Sequence, residues 1–350
     1  MNISDVAYEA GVSIATVSRV INNADYPVRP ETRDRVLVAI KKLGFRPNDL
    51  ARGLLLRRTR TVGLIVPDIT NPYYPALTRG VEDVASEQLY AVIFCNTDRN
   101  VGKAEHYVNT LLQKRVDGII IAGGGTDFTW ATRTFTEFGA EVVFIGRHGA
   151  ERPSVQVDNV AAAQLATGHL ARLGHTEIAT ITGPLVLTSA QDRLEGHRRA
   201  LTRARIGWDD RLVVEGDFQE PSGHAATRAL LAGHPRPTAI FAANDRMAIG
   251  AMAAVADTGL RVPDDVSIVG FDDTSLASYV RPALTTVRVP TYDLGAAAMR
   301  LLLARVQGGA DAAADDVLLE CELVVRGSAA APPAPAAEVP ARPQRRRRAG

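Results

Sequence analysis

The chain has 350 residues, 46% of them hydrophobic and 23% charged, and its formal net charge is +1 at pH 7. These values are ordinary for a soluble globular protein of more than one domain. No apolar run approaches the roughly 20 residues of a membrane helix, and the N-terminal segment, with Asp5 and Glu9, lacks the apolar core of an export signal. Cys95 and Cys321 lie in apolar runs, which favours small buried residues of a cytoplasmic protein over a disulfide or a metal site.

The charge is unevenly distributed along the chain. Residues 1–60 carry eleven Lys and Arg against six Asp and Glu, residues 328–350 carry a net +4, and the acidic middle carries −8. A basic N-terminal segment on an acidic body predicts that this segment meets nucleic-acid phosphate and the body does not. Because such a split also arises by drift, the prediction needs support from motifs.

Residues 1–46 predict a small all-α head with a helix-turn-helix. Asn2 can cap a first helix, with Asp5 as the reciprocal partner of a capping box. Gly11 follows where the chain turns sharply, since a positive φ is easily adopted only by glycine. Ser13 can then cap a second helix of nine residues.

The second helix, residues 14–22, is the candidate for reading DNA, because in this motif its N-terminal residues lie on base edges in the major groove. Ile14 and Ala15 suit contact with thymine methyl groups, whereas Arg19 could hold a guanine with two hydrogen bonds. An Arg19 that touches only phosphate remains the alternative. The polar side chains suit phosphate contacts, which position the protein without specifying sequence: Ser13, Thr16, Ser18 and Asn22.

Apolar residues at helical spacing predict the core of the head. Ala7 leaves room for a close helix crossing, and a third helix starts at Pro30. The residues expected to be buried are Val6, Val12, Val17 and Val20 in the first two helices and Val36, Leu37, Ile40 and Leu43 in the third. Another small helical bundle would fit the same pattern.

Residues 47–60 predict a hinge helix and linker. Asn48 is a plausible helix cap, but a helix of barely two turns is unstable alone in water. With Arg52, Arg57, Arg58 and Arg60, the segment is also compatible with a plain basic linker.

Residues 61–327 alternate nine strand-like runs, among them Val62–Val66, Gly118–Ala122, Ala239–Ala242 and Ser267–Gly270, with amphipathic runs such as Ala76–Gln88 and Arg246–Asp257. This alternation predicts parallel sheets covered by helices on both faces, and the length suits two βα subdomains. Residues 328–350, rich in Ala and Pro and ending in Arg345–Arg348, predict a disordered tail.

Several short runs carry a family resemblance: Asp5-Val6-Ala7, Ala10-Gly11-Val12-Ser13, Thr16-Val17-Ser18-Arg19-Val20-Ile21-Asn22, Phe45-Arg46-Pro47-Asn48 and Leu50-Ala51-Arg52, then Asn71-Pro72-Tyr73-Tyr74, Ala243-Asn244-Asp245 and Gly270-Phe271-Asp272-Asp273. With these the chain resembles the lactose-repressor (LacI/GalR) family over all but its tail. The resemblance implies a small all-α helix-turn-helix head and an α/β body of two parallel-sheet subdomains, similar to periplasmic sugar-binding proteins.

The resemblance also implies a transcription repressor that binds palindromic operator DNA as a homodimer and responds to a small effector, a sugar being favoured and a nucleobase possible. The hinge would enter the minor groove with Asn48, Ala51, Arg52 and Leu54, the leucine wedging into a base step. The implied effector residues stand near strand ends or early in a helix: Asp68, Tyr73, Arg147, Arg193, Phe218, Asn244 and Asp272.

Alternatives stay open for individual residues. Asp272 could be a solvated turn or a helix cap, and Arg193 could pair with a nearby carboxylate. Gly146 stands where the family often has an aspartate, which puts that edge of the pocket in doubt.

An enzyme and a free sugar-binding protein are the rival functions. Gly123-Gly124-Gly125 follows a strand without the Gly-Lys-Ser/Thr of a phosphate loop, and the histidines show no metal spacing, so we expect no catalytic residues, cofactor or metal. His175, after Gly174, is expected to be a loop residue. A free sugar-binding protein would need an export signal and no DNA-reading head.

Overall fold

The computed structural model describes residues 2–22, 28–45, 58–123, 139–148, 152–308 and 316–333. Two compact units make up the chain: Met1–Thr61 with Arg115–Asp117, and Val62–Lys114 with Gly118–Gly350. The first contains the head, and the second is the body.

The head contains α1 (Ile3–Ala10), α2 (Ile14–Asn22) and α3 (Pro30–Leu43). The predicted capping box is present, because the Asn2 side chain accepts from the Asp5 N–H at 3.1 Å while the Asp5 carboxylate accepts from the Asn2 N–H at 2.7 Å. Gly11 ends α1 with φ at +64°, as a sharp left-handed turn requires. The Ser13 hydroxyl accepts from the Thr16 N–H at 3.2 Å and so caps α2.

The core of the head is formed by one stripe from each helix, with Val6, Val17 and Val36 fully buried. The prediction that Leu37 is buried was wrong, since half of its surface is exposed. The buried stripe of α3 follows Val36 and Ala39, and a residue directly after Val36 is turned about 100° away from that stripe.

The body has two six-stranded sheets, each the centre of one subdomain. The first subdomain contains β1 (Thr61–Val66), α4 (Tyr73–Glu87), β2 (Ala91–Asn96), α5 (Val101–Gln113), β3 (Gly118–Ala122), β4 (Glu141–Ile145), β5 (Ser154–Val157), α10 (Thr291–Gln307) and β11 (Val317–Leu319). Its strand order is β11-β5-β4-β3-β1-β2, and the pairs from β11 through β1 are parallel. Val62, Leu64 and Ile119–Ile121 are almost completely buried, as expected for strands covered on both faces.

The second subdomain has the same plan. It contains α6 (Asn159–Arg172), β6 (Ile178–Thr182), α7 (Thr188–Arg203), β7 (Val213–Glu215), α8 (Glu220–Ala232), β8 (Ala239–Ala242), α9 (Asp245–Asp257), β9 (Ser267–Asp272), β10 (Thr285–Arg288) and β12 (Glu322–Val324). Its strand order is β12-β10-β9-β8-β6-β7, parallel except for the antiparallel pair of β10 and β12. The predicted α/β body of two parallel-sheet subdomains is therefore confirmed.

Within the described segments, the chain passes between the subdomains three times. It leaves β5 for α6 at residue 158, β10 for α10 at residues 289–290, and β11 for β12 at residues 320–321. Cys321 lies at the third crossing and is half-buried, whereas Cys95 at the end of β2 is buried.

Two glycines bring α4 and α10 of the first subdomain into close contact. A Cβ atom on Gly295 of α10 would lie 2.0 Å from the carbonyl oxygen of Leu77 in α4, and one on Gly80 would lie 2.0 Å from that of Tyr292. The two helix backbones therefore touch where each lacks a side chain.

The sequence assigned residues 328–330 to a disordered tail, but they pack against the second sheet of the body. The Ser328 hydroxyl is fully buried, donates to the Ile268 carbonyl at 2.6 Å and accepts from the Thr285 N–H at 2.8 Å. The carbonyl of Ala330 lies 2.8 Å from Nε2 of His175, which lies in the loop between α6 and β6, as predicted, and is buried there. Composition indicated disorder because Ser and Ala are small and polar or weakly apolar, but small residues pack closely against a strand edge. Residues 334–350, with Arg345–Arg348, lie outside the described residues.

Candidate functional site

A cavity of about 350 Å³ lies between the two subdomains of the body, within the usual size of small-molecule sites. Its walls include the carboxyl ends of β1, β4 and β9, as expected for a ligand cleft in parallel sheets. Five of the seven predicted effector residues line it: Tyr73, Arg193, Phe218, Asn244 and Asp272.

Asp272 and Arg193 form a buried charged pair in the cavity wall. Arg193 Nη1 lies 3.9 Å from Asp272 Oδ1, and the guanidinium stacks 3.8 Å above the ring centre of Phe271. Arg193 Nε also donates to Asn159 Oδ1 at 2.9 Å. Burial raises the pKa of Asp272, whereas the neighbouring guanidinium of Arg193 lowers it and favours the charged carboxylate. Arg193 therefore does pair with a carboxylate, as the alternative interpretation proposed, and that carboxylate is Asp272 of the same cavity.

Phe218 and Asn244 form the next part of the wall. The Phe218 ring occupies space that Gly183 leaves free, since a Cβ there would lie 2.0 Å from the ring. Asn244 caps α9 by accepting from the Met247 N–H at 2.9 Å, and its Nδ2 donates to the Phe218 carbonyl at 3.1 Å. Asn244 therefore holds the wall in place with the same groups that could otherwise meet a ligand.

Asp68 and Arg147 lie outside the described lining of the cavity and bridge the subdomains instead. Asp68 Oδ2 accepts from Gln219 Nε2 at 3.1 Å, and Arg147 donates to both carboxylate oxygens of Asp192 at 3.0 and 2.6 Å. Both follow strand ends, as the prediction required, but their side chains reach across to the opposite subdomain. We assign them to the contact between subdomains.

Sequence reasoning missed several polar residues of the lining: Asn71, Tyr74, Arg99, Asn100, Gln156, Asn159 and Ser189. Gln156 carried a usable signal, because β5 is a short buried strand with one large polar residue in it. A glutamine in such a strand needs a polar partner or a ligand.

The amides of the lining differ in their hydrogen bonding. The side-chain oxygens of four asparagines already accept from the protein: Asn71, Asn100, Asn159 and Asn244. The Gln156 amide makes no hydrogen bond with any of the described residues. It therefore offers the cavity both a donor and an acceptor.

In the head, α2 exposes the residues predicted to read bases. Ile14 is half exposed, Ala15 and Arg19 are exposed, and Val17 and Val20 on the opposite side are buried. Ser13 and Thr16 share a hydrogen bond of 2.9 Å between their hydroxyls, and Ser18 is half-buried. The side chain of Asn22 and the hinge residues Asn48, Ala51, Arg52 and Leu54 lie outside the described residues.

Over the described ranges, we find no group of three or more His, Cys, Asp and Glu side chains arranged to hold a metal ion. Among the helices described above, none is both long enough and apolar enough to cross a bilayer.

Both the head and the body of the chain match known protein families. Residues 2–48 match the model for bacterial regulatory proteins of the lacI family, and residues 167–329 match the periplasmic binding protein-like domain. Catabolite control protein A of Priestia megaterium is 43% identical over 305 residues, covering 86% of this chain and 91% of that protein.

Solved structures agree over nearly the full length. The lac repressor dimer bound to operator and the anti-inducer ONPF has a TM-score of 0.85 at 32% identity, covering 95% of this chain and 99% of that chain. The complex of the transcriptional regulator CelR with cellobiose has a TM-score of 0.72 at 36% identity, covering 94% and 99%. From its exposed α2, its two-subdomain cleft and these similarities, the chain belongs to the lacI family of bacterial regulatory proteins.

Proposed function

We propose that this regulator is a transcription repressor that binds a palindromic operator as a homodimer and changes its operator affinity when a small polyhydroxy compound occupies the body cavity. The observation that carries the proposal is the cavity itself, in which a charged pair, an uncommitted amide and aromatic faces line a space between two subdomains. A ligand there contacts both subdomains, so it can favour one arrangement over another. Coupling of about 1–3 kcal/mol would change operator affinity roughly 5–150-fold.

The lining favours a sugar. Asp272 and Arg193 can hydrogen-bond several hydroxyl groups, and Tyr73 and Phe218 offer flat apolar faces for a pyranose or furanose ring. The CelR structure with cellobiose supports the same ligand class. A nucleobase would also stack on the aromatic side chains, but it has fewer hydroxyl groups to hydrogen-bond with Asp272 and Arg193.

Replacing Gln156 by leucine should weaken sugar binding roughly tenfold, because a ligand hydroxyl that meets the amide would be buried without a partner. The measurement is a thermal-shift titration of the full chain with D-ribose, D-glucose, cellobiose, lactose, adenine and guanine. The matched control is Gln113→Leu, which changes an exposed glutamine at the end of α5. If the same sugar stabilised both variants equally, Gln156 would not contact the ligand. If only a purine stabilised the protein, the effector would be a nucleobase and not a sugar.

The operator sequence can be identified by selecting, from a pool of random duplex DNA, the sequences that the full chain binds. We expect the enriched sequences to be palindromes, because a two-fold dimer places its two α2 helices on related half-sites. Arg19→Ala should lower affinity for the selected sequence roughly tenfold and relax the preference at one position of each half-site. Arg199→Ala, which removes an exposed arginine of α7 paired with Glu195, should leave binding unchanged.

A uniform loss with Arg19→Ala, with no relaxed position, would mean that Arg19 contacts phosphate alone. Enrichment of no sequence at low ionic strength, where phosphate contacts are strongest, would contradict operator binding.

A further inference from the structure

We propose that Asp245 is a positioning residue of the effector site, whose buried carboxylate holds residues 272–274 in the conformation that presents Asp272 to the cavity. This inference rests on the proposed function in one respect, the contact of Asp272 with the effector. Asp245 itself lies behind the cavity wall and outside the described lining.

Asp245 is the first residue of α9 and is completely buried. Its Oδ2 accepts from the Thr274 N–H at 2.6 Å and from the Thr274 hydroxyl at 3.1 Å. Its Oδ1 accepts from the Thr286 hydroxyl at 2.5 Å. One carboxylate therefore joins the start of α9 to the segment after β9 and to β10.

The neighbouring strand leaves room for this carboxylate. Gly270 lies in β9, two residues before Asp272, and a Cβ atom there would lie 2.5 Å from Asp245 Oδ1. The carboxylate thus sits directly against the β9 backbone. Any larger residue at position 270 would displace it.

The segment that Asp245 holds has an unusual backbone. Asp272 has φ at +115° and Asp273 has φ at +57°, and residues other than glycine rarely adopt positive φ values. Such conformations persist where surrounding contacts fix them, and they cluster at functional sites. Asp273 is fixed by Arg326 at 2.6 Å and Arg288 at 2.7 Å, so Asp245 supplies the matching restraint on the following residue, Thr274.

The first test is hydrogen exchange on the full chain without ligand. In Asp245→Ala, the Thr274 amide should exchange at least roughly tenfold faster than in the wild type, because its acceptor is gone. The amides of β6 report whether the variant is folded and should keep their protection. Asp257→Ala, at the other end of α9 and exposed, is the matched control and should leave Thr274 protected.

The second test is a double-mutant cycle with Asp245→Asn and Asp272→Asn on the panel sugar that most stabilises the wild type. Asp245→Asn should weaken binding roughly tenfold alone and have no further effect when Asp272 is already replaced, because residues that act through one another are not additive. Asparagine keeps one acceptor for Thr274, so Asp245→Asn should bind more tightly than Asp245→Ala. Losses that add in the double variant, or unchanged Thr274 exchange in Asp245→Ala, would overturn the inference.

Failure of the proposed function has a different signature. If Asp272→Asn binds every panel sugar as the wild type does, or no panel compound binds at all, the ligand role of Asp272 fails. The exchange rate of Thr274 still decides whether Asp245 holds the segment.

Discussion

Replacing Gly295 by alanine is expected to lower the free energy of unfolding by roughly 2 kcal/mol or more. In an exposed helix the same change raises stability by about 1 kcal/mol, because alanine loses less backbone entropy. Here the added methyl group would lie 2.0 Å from the Leu77 carbonyl oxygen and 2.9 Å from its carbon. Backbone atoms cannot rotate away, so α4 and α10 must separate.

Gly168 in α6 provides the control for this prediction. The nearest atom to a Cβ at that position is Arg172 Nη1 at 3.5 Å, the end of a flexible side chain. Gly168→Ala should therefore raise the unfolding free energy by about 0.5–1 kcal/mol. Urea unfolding of both variants measures the difference, and a Gly295→Ala protein as stable as Gly168→Ala would show that the helices tolerate separation.

Lowering the pH from 7 to 5 is expected to destabilise the body by about 2 kcal/mol through His197 alone. His197 is 1% exposed, and its Nδ1 lies 2.8 Å from the Thr167 hydroxyl. Burial lowers the pKa of His197 to about 3. The unfolded chain binds a proton near pH 6.5 and the folded chain does not, so stability is complete above pH 6.5 and falls as the pH drops toward 3.

His197→Asn tests the assignment, because asparagine can keep a hydrogen bond to Thr167 without titrating. Its stability at pH 7 should be lower, since the ring that packs near Trp208 and Phe241 is lost. Its loss between pH 7 and 5 should shrink by about 2 kcal/mol relative to the wild type. Burial also lowers the pKa of His148, His169 and His175, which accounts for any slope that remains. An undiminished slope would assign the acid sensitivity to those residues.

The first nine strands followed from the pattern of apolar runs, and β3 and β8 match their predicted ends to the residue. The region after β9 was harder to interpret. No α-helix separates β9 from β10 or β11 from β12, so the alternation of strand-like and amphipathic runs gave no signal for these strands. The helix α10 returns to the first subdomain, and sequence order carries no direct signal for such a return.

Chain position was enough to predict five residues that line the cavity, namely Tyr73, Arg193, Phe218, Asn244 and Asp272. The carboxyl ends of parallel strands and the segments that follow them converge at one edge of a sheet, which is why Tyr73, Phe218 and Asp272 line one cavity. Position does not tell which way a long side chain extends. Arg147 follows a strand in the same manner, yet its guanidinium crosses to Asp192 in the other subdomain.

The three crossings between subdomains make each half topologically dependent on the other. The segment 62–157 lacks α10 and β11, so on its own it would leave the face of α4 with Leu77 and Val81 uncovered. No single cut yields two complete modules, and neither half can be excised or inherited as one contiguous piece.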